Sequence, residues 1–468
     1  MSVLSVRQTQ RAWQVMAALT AAHVSAMHGE GVLDEESADS LRASVESVAH
    51  GEAPEGILLE LAIAFDDRVD AICAPKLVGV TQLGRGSAEA VNAVARILTR
   101  EQILQLAEDA AVLLDALLQL AGAHVVTMLP AYAGSQAVQP TTIAHYLGGA
   151  IGPLGRGIDR LLGTLDVVNL SPLGAAAVTS SRFAPDRATT ASMLGFSGPV
   201  PNTFDAVSSS DYLELAASAA DSLGSAIARL LHELAAWIRT APDAFVFGEE
   251  QLMRVPDLPQ IRLPAKIEHL LDLASSAATG YGAVRAWTHD SGFGPQLWLD
   301  HPLGSLLDAM ETSGRFFQES AEHFSNGFEI NRAVLGNRAG KGFVTSSDLA
   351  DFLIVEEEIS PGDAQLIANR VLAMVKDRGL EIAAIDREMV DSAGLLVLGR
   401  QIGIEFETLS KYLAPRRFLE NRTAEGAPAP NSTRKWLKDE TVRLNQRRAT
   451  IASLRENWEQ AMSELGHL

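Results

Sequence analysis

The sequence predicts an all-α protein. Apolar residues recur at the 3.6-residue helical spacing from one end to the other, and no stretch shows the convincing alternation of a half-buried strand. Composition agrees: 47% of the 468 residues are hydrophobic and only 6% aromatic, with Ala and Leu abundant, which suits closely packed helices. That length allows two or three domains and a large core.

The first long run starts at Thr99 and places Ile103, Leu106, Ala110, Leu113, Leu114, Leu117 and Leu120 on one side. Thr99 followed by Gln102 has the form of a capping box. The second run, Ile143 to Val168, is apolar over more than one face, as a helix at the centre of a bundle is, with Pro153 as an expected kink. Asp211 to Thr240 forms a third run, free of proline and rich in Ala, Ser and Leu; Ala265 towards Trp287 forms a fourth. Past Gly342 the helices shorten, and "TSSDLADFLI" and "SPGDAQLIANRVLAMVKDRG" both open on N-cap residues. The Pro/Ala/Gly-rich linker "NRTAEGAPAPNST" precedes a charged amphipathic helix, Arg434 to Leu465, that packs on its own body or a neighbouring subunit. The division expected is an N-terminal part (1–98), a central long-helix bundle (99–340) and a C-terminal part (341–468).

Charge narrows the partners. The chain carries 58 acidic and 38 basic residues, a net −20, which opposes nucleic acid and anionic membrane surfaces. Its single cysteine, Cys73, excludes an internal disulfide framework and fits a reducing, cytoplasmic setting. The N-terminus shows no secretory signal. The apolar stretch Leu113 to Leu129 is broken by Asp115, Gln119 and His124 and is too short for a bilayer. The eleven histidines never pair at metal-ligand spacing. "GNRAGKG" has one residue too few before its lysine, and no Ser or Thr after it, for a phosphate loop. No cofactor or metal is expected; the expected partner is a small-molecule substrate.

Five stretches in order resemble the argininosuccinate lyase family of the fumarase/aspartase superfamily: "AAHVSAMHGEGVLDEESA", "TMLPAYAGSQAVQPTTIAHYL", "SPLGAAAVTSSRFAPDR" with "LGFSGPVPNTFDAVSSSDY", "FVTSSDLADFLI" and "ENRTAEGAPAPNS". The resemblance runs over nearly the whole chain. It implies a three-domain, all-α subunit whose long central helices associate as a homotetramer, each active site built from loops of three different subunits.

The same resemblance exposes what has changed. "VPDLPQIRLP" (255–264) lies over the family's mobile loop. Pro259, Gln260 and Pro264 hold their places, but Val255 and Pro256 stand at the serine positions, Ile261 at the lysine and Leu263 at the asparagine. Neither Val nor Pro can remove a carbon-bound proton as the family's serine does, and without the ammonium a carbanion loses its electrostatic support. In the second loop Ala133 and Gly134 replace a Thr-His pair, while Gln136 remains. In the first, Arg85 matches an arginine, but Gly86 and Ser87 replace an amide and a carboxylate. Glu268 keeps the place of the acid that orients the missing histidine. Asn202, Asp205, Ser208 and Asp211 survive, with Ser209 and Ser210 in place of an Asp-Arg pair.

These positions define the candidate site. Glu268 and its neighbour His269 are the candidate acid–base pair, although successive helical residues point about 100° apart. Arg85, Gln136, Asn202, Asp205, Ser208, Val255, Ile261, Arg262 and Leu263 are candidate substrate contacts. Each has a plain alternative: a structural salt bridge for Arg85, a solvated basic turn for Arg262 with Lys266, Asx turns for Asn202 and Asp205, an N-cap within Ser208–Asp211. Trp287, Trp298 and Tyr132 could line an apolar pocket or simply pack. The functional expectation is an enzyme repurposed from serine-based β-elimination to another elimination, addition, cyclisation or isomerisation on a less anionic molecule, as in specialised biosynthesis. The alternatives are a catalytically silent binding or assembly subunit and an ordinary C–N lyase releasing fumarate.

Overall fold

The structure, a computed structural model, describes residues 4–465. Helix α1 (Val6–Gly29) begins on a reciprocal cap, in which the Gln8 N–H donates to Ser5 Oγ at 3.3 Å and the Ser5 N–H donates to the Gln8 side chain at 2.9 Å. Asp34 caps α2 (Glu35–Ala49) by accepting from the Ser37 N–H at 2.7 Å, and α3 (Leu58–Ile72) completes this first layer.

Next comes α4 (Ser87–Ala123), 37 residues long and therefore about 55 Å. Every residue from Ala88 to Arg100 is buried, and beyond that one stripe, through Gln105, Glu108, Val112 and Gln119, is exposed. Thr99, expected to cap a helix, lies buried in the middle of α4. The true start is Gly86, in extended backbone, whose N–H donates to the Glu89 carboxylate at 3.1 Å.

Strands β1 (Met128–Ala133) and β2 (Gln136–Thr142) form an antiparallel hairpin with a bulge at Ala131/Tyr132. It leads into α5 (Ile143–Gly163), capped by Thr142, and the short α6 (Leu165–Val168). A loop-rich end follows, with β3 (Leu170–Ser171) pairing in parallel with β4 (Gly198–Pro199) around α7 (Arg187–Met193), then α8 (Thr203–Ser208). Helices α9 (Asp211–Thr240), α10 (Ala265–His289) and α11 (Asp300–Asn326) complete the bundle around α4 and α5. Between α9 and α10 lie β5 (Phe245–Phe247), which pairs with β8 (Phe328–Ile330), and the hairpin of β6 (Met253–Arg254) with β7 (Arg262–Leu263). Strands of two or three residues are too short to show alternation, which is why the sequence does not announce them.

After α12 (Arg332–Ala339), the helices α13 (Ser346–Val355), α14 (Pro361–Asp377), α15 (Arg387–Leu398) and α16 (Phe406–Tyr412) gather their own core around Leu349, Phe352, Ile367, Val371, Val390 and Leu409. Ser360 caps α14 as its sequence suggests, whereas the Thr345 side chain makes no such bond at α13. Past α17 (Pro415–Asn421), helix α18 (Pro430–Ser463) returns to the main core through Leu437, Leu444, Ile451 and Trp458.

Helix α18 is fastened by a buried cation. The Arg100 guanidinium of α4 lies between the rings of Phe196 and Trp458, 4.8 and 4.6 Å from their centroids, and donates to Asn169 Oδ1 at 2.8 Å and the Leu194 carbonyl at 2.7 Å. Burial lowers its pKa to about 10, so it stays charged at neutral pH and needs both ring faces. Trp458→Ala should therefore destabilise the protein by about 3–5 kcal/mol, read as a lowered urea midpoint; an unchanged midpoint would refute the fastening.

Candidate active site

The candidate residues fall into two groups at opposite ends of the bundle. Helices α9 and α10 run antiparallel, as the Arg285–Asp221 ion pair (3.6 Å) and the Phe204–Phe293 stack show. Asn202, Asp205 and Ser208 precede α9, whereas the β6–β7 hairpin follows it. The 30 residues of α9 put about 45 Å between the two groups.

At the first end, Asn202 caps α8: its Oδ1 accepts from the N–H groups of Phe204 (2.8 Å) and Asp205 (3.2 Å). With Asp205 and Ser208 it lines a cleft of about 540 Å³ whose far wall is Ser291–Phe293. That wall was not foreseen, because a Gly/Ser loop carries no chemical signal in the sequence. Ser210 is the first residue before α9 but makes no side-chain cap; instead Ser209 Oγ donates to Asp211 at 2.7 Å.

Arg85 does not join this cleft. Its guanidinium donates to Thr20 Oγ1 at 2.7 Å, pairs with Asp66, and is buried, which is the structural salt bridge weighed against ligand binding. His23 packs alongside, one ring nitrogen 3.0 Å from the Leu83 carbonyl; burial, then the Arg85 charge, lowers its pKa to about 4.

The loop after Ser171 closes over the start of α4. A side chain at Gly86 would place its Cβ 2.3 Å from the Ala176 carbonyl oxygen, and one at Gly84 (φ +79°) 2.5 Å from that of Phe183. Where the resembling family keeps an amide, this chain has backbone against backbone. Glu89, which the sequence reading passed over, holds the contact by accepting from the Ala176 N–H at 2.6 Å. Its signal was present: a glutamate three residues after an extended Gly86 is half of a capping box.

At the second end, Gln136 pairs with Ala133 next to a turn in which Gly134 sits at φ +59°. That left-handed conformation favours glycine. Tyr132 stacks edge-on against Trp237, Trp287 packs on the core, and Trp298 is exposed, so the three do not line one pocket. In the β6–β7 hairpin, Met253 pairs with Leu263 and Arg254 with Arg262. Leu263 is exposed, and Val255 and Ile261 are partly so. The hairpin also holds a carboxylate that the sequence reading did not weigh, the exposed Asp257.

The expected anion-binding pair is otherwise engaged. Arg262 donates to the carbonyls of Pro259 (2.9 Å) and Ile261 (3.0 Å), closing its own turn. Lys266 bonds Glu319 of α11, and so does His269, at 3.0 Å. Burial raises the Glu319 pKa, but the Lys266 bond and charge, helped by His269, outweigh it and hold the carboxyl below its usual range. Glu268 is exposed on the next face of α10. Deeper in α11, His323 is stacked on Phe247, neither ring nitrogen has a hydrogen-bond partner, and burial lowers its pKa to about 4. Among the described residues no group of three or more His, Cys, Asp or Glu side chains could hold a metal ion.

Burial raises the Glu89 pKa to about 7 against an ordinary 4.5, over the opposing pull of the Gly86, Ala176 and Ala175 backbone N–H groups and of Arg85. The folded chain thus binds this proton more tightly than the unfolded one. That contribution to stability is full below about 4.5 and lost as pH rises through 7, up to about 3 kcal/mol. The buried histidines have the opposite sign. Glu89→Gln cannot ionise there, so its urea midpoint relative to the unaltered chain should rise from about pH 5 to about pH 8; a constant difference would refute the assignment.

The family profile described as Lyase matches residues 65–252. An argininosuccinate lyase from Methanoculleus marisnigri is 29% identical over 434 residues, covering 88% of this chain and 83% of that protein. Argininosuccinate lyase 2 of Agrobacterium fabrum is 27% identical over 423 residues, covering 88% and 83%. Among solved structures, EDDS lyase in complex with formate superposes with a TM-score of 0.86 at 21% identity, over 98% of this chain and 91% of that one. A class II fumarase from Schistosoma mansoni gives 0.68 at 11% identity, over 87% and 90%. The chain is thus similar in sequence, over most of its length, to argininosuccinate lyases, carries a stretch that matches the Lyase family, and has the fold of EDDS lyase and class II fumarase.

Proposed function

We propose that this chain is a lyase-superfamily enzyme, working as a homotetramer with sites shared between subunits, whose reaction is no longer the serine-based elimination. Its substrate is a small molecule less anionic than the family's, and the chemistry is an elimination, addition, cyclisation or isomerisation. The observation that carries this reading is the β6–β7 hairpin. It is a paired hairpin that, by the family resemblance, carries Val255 and Pro256 at the serine positions, with Asp257 as its one carboxylate. A carboxylate is a competent general base, and the turn presents it to solvent.

Assembly is supported by the separation of the two residue groups, which one subunit cannot join, and by α10. From Leu273 to Val284 this helix has no charged residue and exposes Ser275, Ser276, Ala278, Thr279 and Ala283, a small-residue face suited to close helix contact. The intracellular setting is part of the same proposal; among the described residues no helix is long and apolar enough to cross a membrane.

The engaged state of Arg85 favours a second reading, a silent binding or assembly subunit. The first is preferred because Asn202, Asp205 and Ser208 still converge on an open cleft rather than on packed side chains.

Incubation with argininosuccinate, followed by the ultraviolet absorbance of fumarate, should show no turnover above a protein-free control. Steady turnover would overturn the reading, whether or not Asp257→Asn abolishes it. Sedimentation should give a tetramer, and Ala278→Arg should break it into smaller species; a tetramer that survives this substitution would place the interface elsewhere.

A further inference from the structure

We propose that the cleft between α8 and the 291–295 loop is a binding site for a flat aromatic group carrying a protonated amine, an arylalkyl ammonium, with Phe204 and Phe293 as its platform and Asp205 as its counter-ion. This deepens the reading above and rests on that cleft belonging to a working site.

The platform is unusual in its exposure. Phe293 is 91% exposed and Phe204 37%, yet the rings stack on each other with centroids 5.2 Å apart and planes 26° from parallel. A lone exposed apolar side chain needs no explanation; a stacked aromatic pair on the rim of a 540 Å³ cleft is a ready contact surface. That volume lies in the range of small-molecule sites and admits a compound of one or two rings.

The loop that presents Phe293 is braced. The Gln296 side chain donates to the carbonyls on both sides of Phe293, Gly292 at 2.8 Å and Gly294 at 3.0 Å. The Gln296 N–H donates to the Val207 carbonyl of α8 at 2.7 Å, and the Asn92 amide donates to the Gln296 carbonyl at 3.2 Å. Gln296 is itself buried, so the turn is tied to α8 and α4 at once. A ring held in place before the ligand arrives loses little freedom on binding.

Charge selects the ligand. Asp205 is the one formally charged residue among those lining the cleft, and Asp211 adjoins it beside Ser209. The nearby cation, Arg96, is buried; its guanidinium lies 4.1 Å from the centroid of the Tyr212 ring and donates to the Val167 carbonyl at 2.7 Å. An anion entering here meets like charge, and the Arg96 cation behind it is already engaged by the Tyr212 ring, the Val167 carbonyl and the charges of Asp205 and Asp211. An ammonium on an aromatic frame meets a carboxylate and the negative faces of two rings.

The test uses the intact protein and three probes, benzylamine, benzoate and cyclohexylamine, with binding followed by ligand-observed NMR. Benzylamine should bind, benzoate should not, and cyclohexylamine should bind less well than benzylamine. Phe293→Ala should weaken benzylamine by about two- to fivefold, and Asp205→Asn should abolish the preference over benzoate. Both residues are surface positions, and circular dichroism checks that each variant is folded. Equal binding of benzoate, failure of benzylamine to bind, or indifference to Phe293→Ala would overturn the assignment. So would a change of sedimentation on Phe293→Ala, which would identify a second copy of this chain as what covers the rings. These readouts are independent of turnover, so an active argininosuccinate reaction would sink the earlier reading without deciding this one.

Discussion

The fold depends on burying one helix along its whole length. Every residue of helix α4 from Ala88 to Arg100 is buried, and beyond that its apolar faces are covered while a stripe through Gln105, Glu108, Val112 and Gln119 meets solvent; α1, α3, α5, α11 and α18 supply the partners. Three of its buried polar residues organise the rest. Glu89 holds the Ala176 loop, Arg96 reaches the Val167 carbonyl, and Arg100 joins Asn169, Leu194 and the Trp458 ring. Each is a buried polar group whose desolvation is offset only while its partners stay in place. Loops that would otherwise wander are thereby tied to the stiffest element of the molecule.

Rigid helices of this length also dictate where a site can be. Functional loops sit at helix ends, and α9 alone separates the Asn202 cleft from the β6–β7 hairpin by about 45 Å. The loops at these helix ends are held by backbone contacts and turns. The Gly86 position is sealed by the Ala176 backbone, Gly134 occupies a left-handed turn, and Arg262 closes the hairpin on its own carbonyls. An open cleft lies at Asn202, Asp205 and Ser208.

Buried titratable groups are disposed with opposite signs. His23 and His323 are kept neutral by burial and by neighbouring cations, and Glu89 takes up its proton near neutrality because burial outweighs its bonds. Acidification works against the histidines and in favour of Glu89, so the steep parts of their stability curves partly cancel.

The sequence by itself determined the helical class, the extents of α9 and α10 to within a few residues, and the acidic charge, because these follow from periodicity, capping and counting. Resemblance to a known family is what singles out the loops at the helix ends. Tertiary structure decided the rest. Thr99 and Gln102 have the form of a cap, yet packing carries α4 straight through them from Gly86. Arg85 reads as a ligand contact until Asp66 and Thr20, distant in the chain, are seen to take its guanidinium. The Phe204–Phe293 pair joins residues almost ninety positions apart, and no local pattern signals a contact that exists only because α9 and α10 lie antiparallel. Local pattern encodes which residues want burial; only the folded chain assigns each polar group its partner.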